Sequence, residues 1–347
     1  MRGNEAVVCG ALLAGCEAFY GYPITPASEI PETAARWFPL ASRTFLQAES
    51  ELAAINMVYG ASAAGVRCMT ASSGPGISLK MEGVSYLASS ELPAVIVNIG
   101  RVGPGLGNIY PSQGDYNQMV KGGGHGSYRC IVLSPNSVQE MCEFTMRAFE
   151  LADTYRIPVF LLSDAYVGQM VEPLDVPDPL PPPPPKPWAL TPDASSNRNV
   201  ITSIFLDPDE MEAHVFHLQD KYAEIKQNEP LGEETETDDA DLVLVGYGIV
   251  SRVLYTAVDL ARSEGLKVGL FRPKTLWPFP ETDLQKLAGR VRDFLVVELN
   301  NGQMRDDIRW ILEGRSNLHF LNRLGGHVPG PEDVAEKIRE IVRGDGG

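Results

Sequence analysis

Short apolar runs and helix-patterned stretches alternate through the first half of this chain, and that alternation limits it to one class of fold. Strand-like runs fall at residues 18–22, 44–47, 67–70, 94–99, 130–133 and 159–162, with helical patterns at 5–16, 26–38, 51–64, 77–89 and 137–155. Strands that are apolar nearly throughout, and separated by helices, build a parallel sheet covered on both faces. Such a sheet delivers every strand's carboxyl end, and the loop after it, to one edge. The loops after the first four strands are therefore expected to meet.

The pattern then lapses. Pro181-Pro182-Pro183-Pro184-Pro185 favours an extended spacer with no packed face. A polar surface helix is expected over 211–226, and the acidic run from Glu229 to Asp239 reads as solvated loop. From Leu242 the alternation resumes, with strands at 242–245, 267–271, 294–297 and 318–321 and a last helix near 331–342. The chain thus divides into an α/β domain at 1–175, a proline-rich and acidic linker at 176–240, and a smaller four-stranded α/β domain at 241–347.

A length of 347 residues is enough for two such cores. The net charge of −16 argues against binding nucleic acid or an anionic membrane. No apolar window is long enough to span a bilayer, and the start Met1-Arg2-Gly3-Asn4-Glu5 lacks the form of a secretory signal. Cys9, Cys16, Cys68, Cys130 and Cys142 make no Cys-x-x-Cys spacing, which fits reduced core thiols in a cytoplasmic protein and no iron–sulfur cluster in this chain.

Four candidate pieces follow the first four strands. Gly21-Tyr22-Pro23-Ile24-Thr25-Pro26 reads as a helix start, with Thr25 as N-cap and Pro26 at the first helical position. It would also present a hydroxyl and backbone amides at the ligand edge. Glu49-Ser50-Glu51 opens a helix whose next ten residues, Leu52 to Ala61, carry no charge. Acids there complement the helix dipole, and a carboxyl desolvated at the mouth of an apolar helix also suits a proton relay. Ser73-Gly74-Pro75-Gly76 joins strand to helix, where glycine lets the backbone approach a ligand or simply makes a tight turn. Arg101 sits before a glycine-rich loop, either as a surface arginine or as a bidentate partner for a carboxylate. Gly122-Gly123-Gly124-His125-Gly126 could hinge a lid, with His125 more simply an exposed loop residue. Gly344-Asp345-Gly346 is a chance match to a metal-binding motif, because no chain remains for the asparagines that should follow.

Taken in order, Gly3-Asn4-Glu5-Ala6, Tyr22-Pro23-Ile24-Thr25-Pro26, Glu49-Ser50-Glu51, Ser73-Gly74-Pro75-Gly76, Glu91-Leu92-Pro93, Arg101 and Gln113-Gly114-Asp115 resemble the alpha subunit of 2-oxoacid:ferredoxin oxidoreductases. The likeness extends through Phe271-Arg272-Pro273 and Trp277-Pro278-Phe279-Pro280. The stretches 103–108 and 121–126 are most similar to the 3-methyl-2-oxobutanoate, or branched-chain, type.

The resemblance implies a thiamine diphosphate pyrimidine-binding domain followed by a transketolase C-terminal-like domain. It implies that Tyr22, Pro23, Ile24, Thr25, Glu51, Ser73, Gly74 and Pro75 hold the aminopyrimidine side of the cofactor. Glu51, chosen over Glu49 because the family's glutamate lies nine residues before the glycine matched by Gly60, would bond the ring nitrogen and drive the imino tautomer. Thr25 and Arg101 would hold the substrate, Arg101 at the 2-oxoacid carboxylate. The cofactor carries the decarboxylation, electrons pass singly to iron–sulfur clusters, and coenzyme A takes the acyl group.

The diphosphate–Mg2+ motif and the cluster cysteines are missing from this sequence. They are expected on a beta subunit with a diphosphate-binding domain and on a ferredoxin-like iron–sulfur subunit, beside a gamma subunit, with ferredoxin as acceptor. The alternatives are the same reaction on 2-oxoglutarate, which the absence of a further cation at 103–108 disfavours, and a noncatalytic assembly subunit.

Overall fold

The computed structural model describes residues 1–344. Among them the strands are β1 (Ala18–Gly21), β2 (Thr44–Gln47), β3 (Cys68–Ser72), β4 (Ala94–Gly100), β5 (Ile131–Leu133), β6 (Pro158–Asp164), β7 (Gly232–Thr235), β8 (Leu242–Val245), β9 (Val268–Pro273), β10 (Thr275–Trp277), β11 (Asp293–Glu298) and β12 (Asn317–Asn322). The first sheet runs β10-β5-β6-β4-β3-β1-β2, parallel except for β10. Its central strands β3, β4 and β6 are buried at every position, as continuous apolar runs require. Two helix pairs cover it: Gly3–Leu13 against Val138–Tyr155, and Glu51–Ala63 against Gly74–Ser89. Gly10 lets the first pair touch, since a Cβ there would lie 2.3 Å from the Cys142 carbonyl oxygen.

Strand order reverses between β1 and β3. The chain steps outward from β1 to β2, then crosses back over β1 to β3 and on to β4. That reversal opens a crevice beyond the carboxyl ends of β1 and β3, where ligands settle in open α/β sheets.

The second sheet runs β12-β11-β8-β9-β7, with β7 antiparallel to β9. This corrects the reading of the acidic run as solvated loop. Glu233 pairs with Lys274 at 2.5 Å, Glu234 with Arg290 at 3.5 Å and Glu236 with Arg262 at 3.4 Å. Counterions distant in sequence thus make this run an edge strand. Thr275–Trp277, by contrast, leaves the second unit and pairs as β10 with β5 of the first sheet.

Pro181 to Pro185 are exposed, as an extended spacer should be. The segment after them is anchored. Lys186 reaches Asp153 at 2.8 Å, and Asp153 also takes Arg67 at 2.6 Å, both partners nearly shut off from water. The helix Pro208–Asn228 is longer than the polar pattern suggested, because Leu218, Tyr222 and Ile225 bury against the first unit. No described helix is long and apolar enough to cross a membrane. Asp345 and Gly346 of the terminal Gly-Asp-Gly lie outside the described residues.

Candidate active site at the sheet edge

The four motif-bearing loops follow β1, β2, β3 and β4, which are neighbours in the sheet, so topology brings them to one stretch of its edge. Their centre is the start of the helix Gly74–Ser89, which follows β3 directly. Two groups of side chains flank that start.

On one side stands Glu51. Its helix begins where expected, with Ser50 as N-cap and its Oγ accepting from the Ala53 amide at 3.2 Å. Glu51 is 7% exposed, whereas Glu49 is exposed. The Glu51 carboxyl makes no hydrogen bond among the described residues; it faces Gly76, where a Cβ would sit 2.6 Å from Oε1 and 2.3 Å from Ser72 Oγ. Ser72 Oγ there, and the hydroxyls of Thr70 and Ser73 at the same end of β3, are buried without a partner. Buried polar atoms are normally satisfied, so this cluster is built for something that supplies the missing bonds.

Arg101 occupies the other side. Its Nη1 donates to the Thr25 carbonyl at 2.9 Å and its Nη2 to the Leu106 carbonyl at 3.1 Å, while Nε is buried without a partner. The guanidinium stem lies against Gly74, 3.3 Å from where a Cβ would project. Arg101 and Asp115 share a cavity of about 430 Å³ with Pro75, Val102, Pro104 and Leu106. Burial pushes the Asp115 carboxyl above its ordinary value, opposed by the Asn98 amide, which donates to Oδ2 at 2.9 Å, and by the Arg101 charge.

Thr25 is exposed and is not an N-cap: the helix starts at Glu29, and the intervening turn holds a cis Thr25–Pro26 bond. That turn is pinned from behind. Asn4 Nδ2 donates to the Pro26 carbonyl at 2.9 Å and to Glu29 Oε2 at 2.8 Å, and Gln169 Nε2 reaches the same carboxylate at 2.8 Å. Tyr22 and Pro23 are exposed beside it and Ile24 is half-buried. His125 is exposed, on a glycine loop that packs against Met81 and Ser85 midway along the helix rather than at its start.

The Arg101 loop is tied to the second unit. Gln113 bonds two of its backbone groups and one side chain: Nε2 donates to the Tyr247 carbonyl, Oε1 accepts from the Leu299 amide, and the Gln113 carbonyl accepts from Asn300 Nδ2. Tyr116 and Lys121 both reach Asp307. The motif Gln113-Gly114-Asp115 thus splits its work, one residue docking the domains and another lining the cavity. Asn4, Asn98 and Gln169 were not singled out as site residues from sequence; only Asn4 carried a signal, through its place in the Gly-Asn-Glu-Ala start.

Residues 9–227 match the family model for pyruvate flavodoxin/ferredoxin oxidoreductase, thiamine diP-bdg, and 240–334 match pyruvate:ferredoxin oxidoreductase core domain II. The chain is 58% identical to ketoisovalerate oxidoreductase subunit VorB of Methanothermobacter thermautotrophicus, across 99% of this chain and 97% of that one. It is 40% identical to 2-oxoglutarate synthase subunit KorA of Methanothermobacter marburgensis, across 97% of each. Among solved structures it superposes on 2-oxoglutarate:ferredoxin oxidoreductase from Magnetococcus marinus with TM-score 0.85 and 27% identity, covering 98% of this chain and 64% of that one. A split gene transketolase shares the fold alone, with TM-score 0.61 at 13% identity. A parallel-sheet domain with a buried carboxyl at its switch point, a second α/β domain docked on the loop after β4 and full-length relatives together establish that the chain belongs to the 2-oxoacid:ferredoxin oxidoreductase family.

Proposed function

We propose that this chain supplies the aminopyrimidine and substrate half of a thiamine diphosphate site in an oxidoreductase that converts 3-methyl-2-oxobutanoate and coenzyme A to the acyl-CoA. The observation that carries this reading is the Glu51 carboxyl: buried, unbonded and facing Gly76 beside the orphaned Ser72 hydroxyl, with Thr70 and Ser73 unpartnered at the same strand end. Those groups fit a heteroaromatic ring that offers both a donor and an acceptor. Thiamine diphosphate, when bound, supplies the electron sink for decarboxylation. Glu51 holds a proton against the ring nitrogen and keeps water from that contact. Ser73, Gly74 and Pro75 shape the wall beneath it, and Tyr22, Pro23 and Ile24 close the crevice from β1. Arg101 orients the substrate carboxylate at the cavity mouth, with Thr25 fixing the guanidinium through its carbonyl.

The cavity favours a short branched substrate. Among the described residues Arg101 is its one cation and Asp115 its one carboxyl, and Val102, Pro104 and Leu106 are apolar. A second substrate carboxylate would meet Asp115 and no further cation from this chain. The strong identity to a ketoisovalerate oxidoreductase subunit supports the same choice.

Apolar residues stay exposed on the site's elements, Tyr22 after β1, Leu52 beside Glu51 and Leu106 at the cavity. These, and the naming of the relatives as subunits, support a beta subunit that brings the diphosphate and Mg2+ site. On this reading a ferredoxin-like subunit carries the clusters, a gamma subunit completes the complex, ferredoxin is the acceptor, and the assembly works in the cytoplasm. Residues 1–175 form the pyrimidine-binding domain and 241–347 the transketolase-like one, with 176–240 the connector.

The test uses the reconstituted complex and 2-oxoacid-dependent viologen reduction. Branched 2-oxoacid should exceed 2-oxoglutarate in kcat/KM, and E51Q should assemble yet lose activity. Equal rates on the two acids would overturn the substrate reading, and an active E51Q complex would leave the chain an assembly subunit.

A further inference from the structure

Lys80 is fully buried, which is unusual for a lysine without a carboxylate in contact. It falls in the apolar stripe of the helix Gly74–Ser89, in line with Gly76, Ile77, Gly83, Val84 and Leu87. On a helix a long side chain leans back over the turn before it, and residue 80 lies one turn after Gly76, the glycine that Glu51 faces. Its Nζ donates to the Glu51 backbone carbonyl at 3.2 Å. Glu51 is the first residue of its helix, so the ammonium clamps the first turn of one helix to the other at the level of the unbonded carboxyl. Gly83 makes the approach possible: a Cβ there would lie 2.7 Å from Ile55 of the facing helix.

We propose that Lys80 is a positioning residue for the proton relay at Glu51: its buried ammonium fixes the first turn of the helix that carries the carboxyl. The proposal rests on the reading of Glu51 as the relay. Proton transfer needs the carboxyl held within hydrogen-bond reach of its partner, and a misplacement of about 1 Å costs on the order of 10²-fold in rate. Burial lowers the lysine itself to about 8, with the Glu51 charge opposing that fall. Other charges are spent or distant. Glu82 on the same helix is exposed and accepts from Tyr86. β4 carries no titratable side chain, and Asp164 of β6 accepts from the amides of Tyr166, Val167 and Ile249. Arg101 and Asp115 lie at the Gly74 side of the helix start, and His125 is in solvent.

Two variants separate the hydrogen bond from the bulk of the side chain. K80M keeps the length and apolar stem without a donor; K80Q keeps a donor without charge. The first measurement is the 13C carboxyl resonance of Glu51 in the cofactor-free full chain, with E51Q identifying it. K80M should shift or broaden that resonance, and a resonance unmoved in folded K80M overturns the proposal. The second is C2-proton exchange of thiamine diphosphate in the reconstituted complex without substrate. Exchange should fall by about 10²-fold in K80M, recover at least in part in K80Q, and vanish in E51Q. Wild-type exchange in an assembled K80M complex overturns the role of Lys80 in the relay. Exchange that survives E51Q removes the relay reading itself, and the proposal with it.

Discussion

Replacing Gly76 with alanine tests the geometry around Glu51 with one carbon atom. The Gly76 backbone lies in the helix and outside the left-handed region, so alanine suits it and by propensity alone should stabilise the helix by about 0.5–1 kcal/mol. Any loss must come from what the new methyl meets. It would stand 2.6 Å from Glu51 Oε1, 3.0 Å from Glu51 Cγ and 2.3 Å from Ser72 Oγ. Ordinary contact begins near 3.4 Å, so the carboxyl must retreat by roughly 0.8 Å or force the two helices apart. Overpacking of this kind costs about 1–3 kcal/mol, partly offset by the propensity gain. Displacing a reacting group by about 1 Å costs on the order of 10²-fold in rate. G76A should therefore unfold in urea within about 2 kcal/mol of wild type, assemble, and lose about 10²-fold in viologen reduction and in C2-proton exchange. A G76A complex with wild-type exchange would show that the carboxyl does not work from beside Gly76.

Three further outcomes follow from named contacts. Lys80, at about 8 in the folded chain against 10.5 for an ordinary lysine, binds its proton more weakly folded than unfolded. Its contribution to stability therefore rises between about pH 8 and 10.5, by roughly 3 kcal/mol in all, and the difference between wild-type and K80M urea curves should show that slope; parallel curves over this range would contradict it. Asp153 lies between Arg67 and Lys186, both close and buried, so D153A leaves two cations uncompensated and should cost about 3–5 kcal/mol by urea unfolding, while a loss below 1 kcal/mol would mean water replaces the carboxylate. N4A releases the Pro26 carbonyl and Glu29 and should cost about 1–3 kcal/mol while raising KM for the 2-oxoacid, because the Thr25 turn that holds Arg101 loosens; unchanged KM would separate the turn from substrate binding.

Much of the fold was legible because its signals are local. Apolar runs set the six parallel strands of the first sheet within two residues, though not β10, and the run of uncharged residues after Glu51 marked a helix that begins there. The four strand-end motifs converge because β4, β3, β1 and β2 are adjacent, a consequence of parallel topology that the alternation already implied. What was missed depends on partners far along the chain. Glu233, Glu234 and Glu236 read as solvated because their partners Lys274, Arg290 and Arg262 lie roughly 30 to 60 residues away. Thr25-Pro26 matched a helix-start pattern, yet Asn4 and Gln169 hold that turn open and shift the start to Glu29. Lys80 carried a signal that charge alone obscured: its period places it among glycines and apolar residues facing Glu51.

The most direct test of the account is the rate of C2-proton exchange on thiamine diphosphate in the reconstituted complex, wild type against E51Q, at one pH and without substrate. If Glu51 is the proton relay, exchange falls by about 10²–10⁴-fold in E51Q while cofactor and partner subunits remain bound. Exchange at the wild-type rate in an assembled E51Q complex would contradict the assignment of this chain to the chemical step.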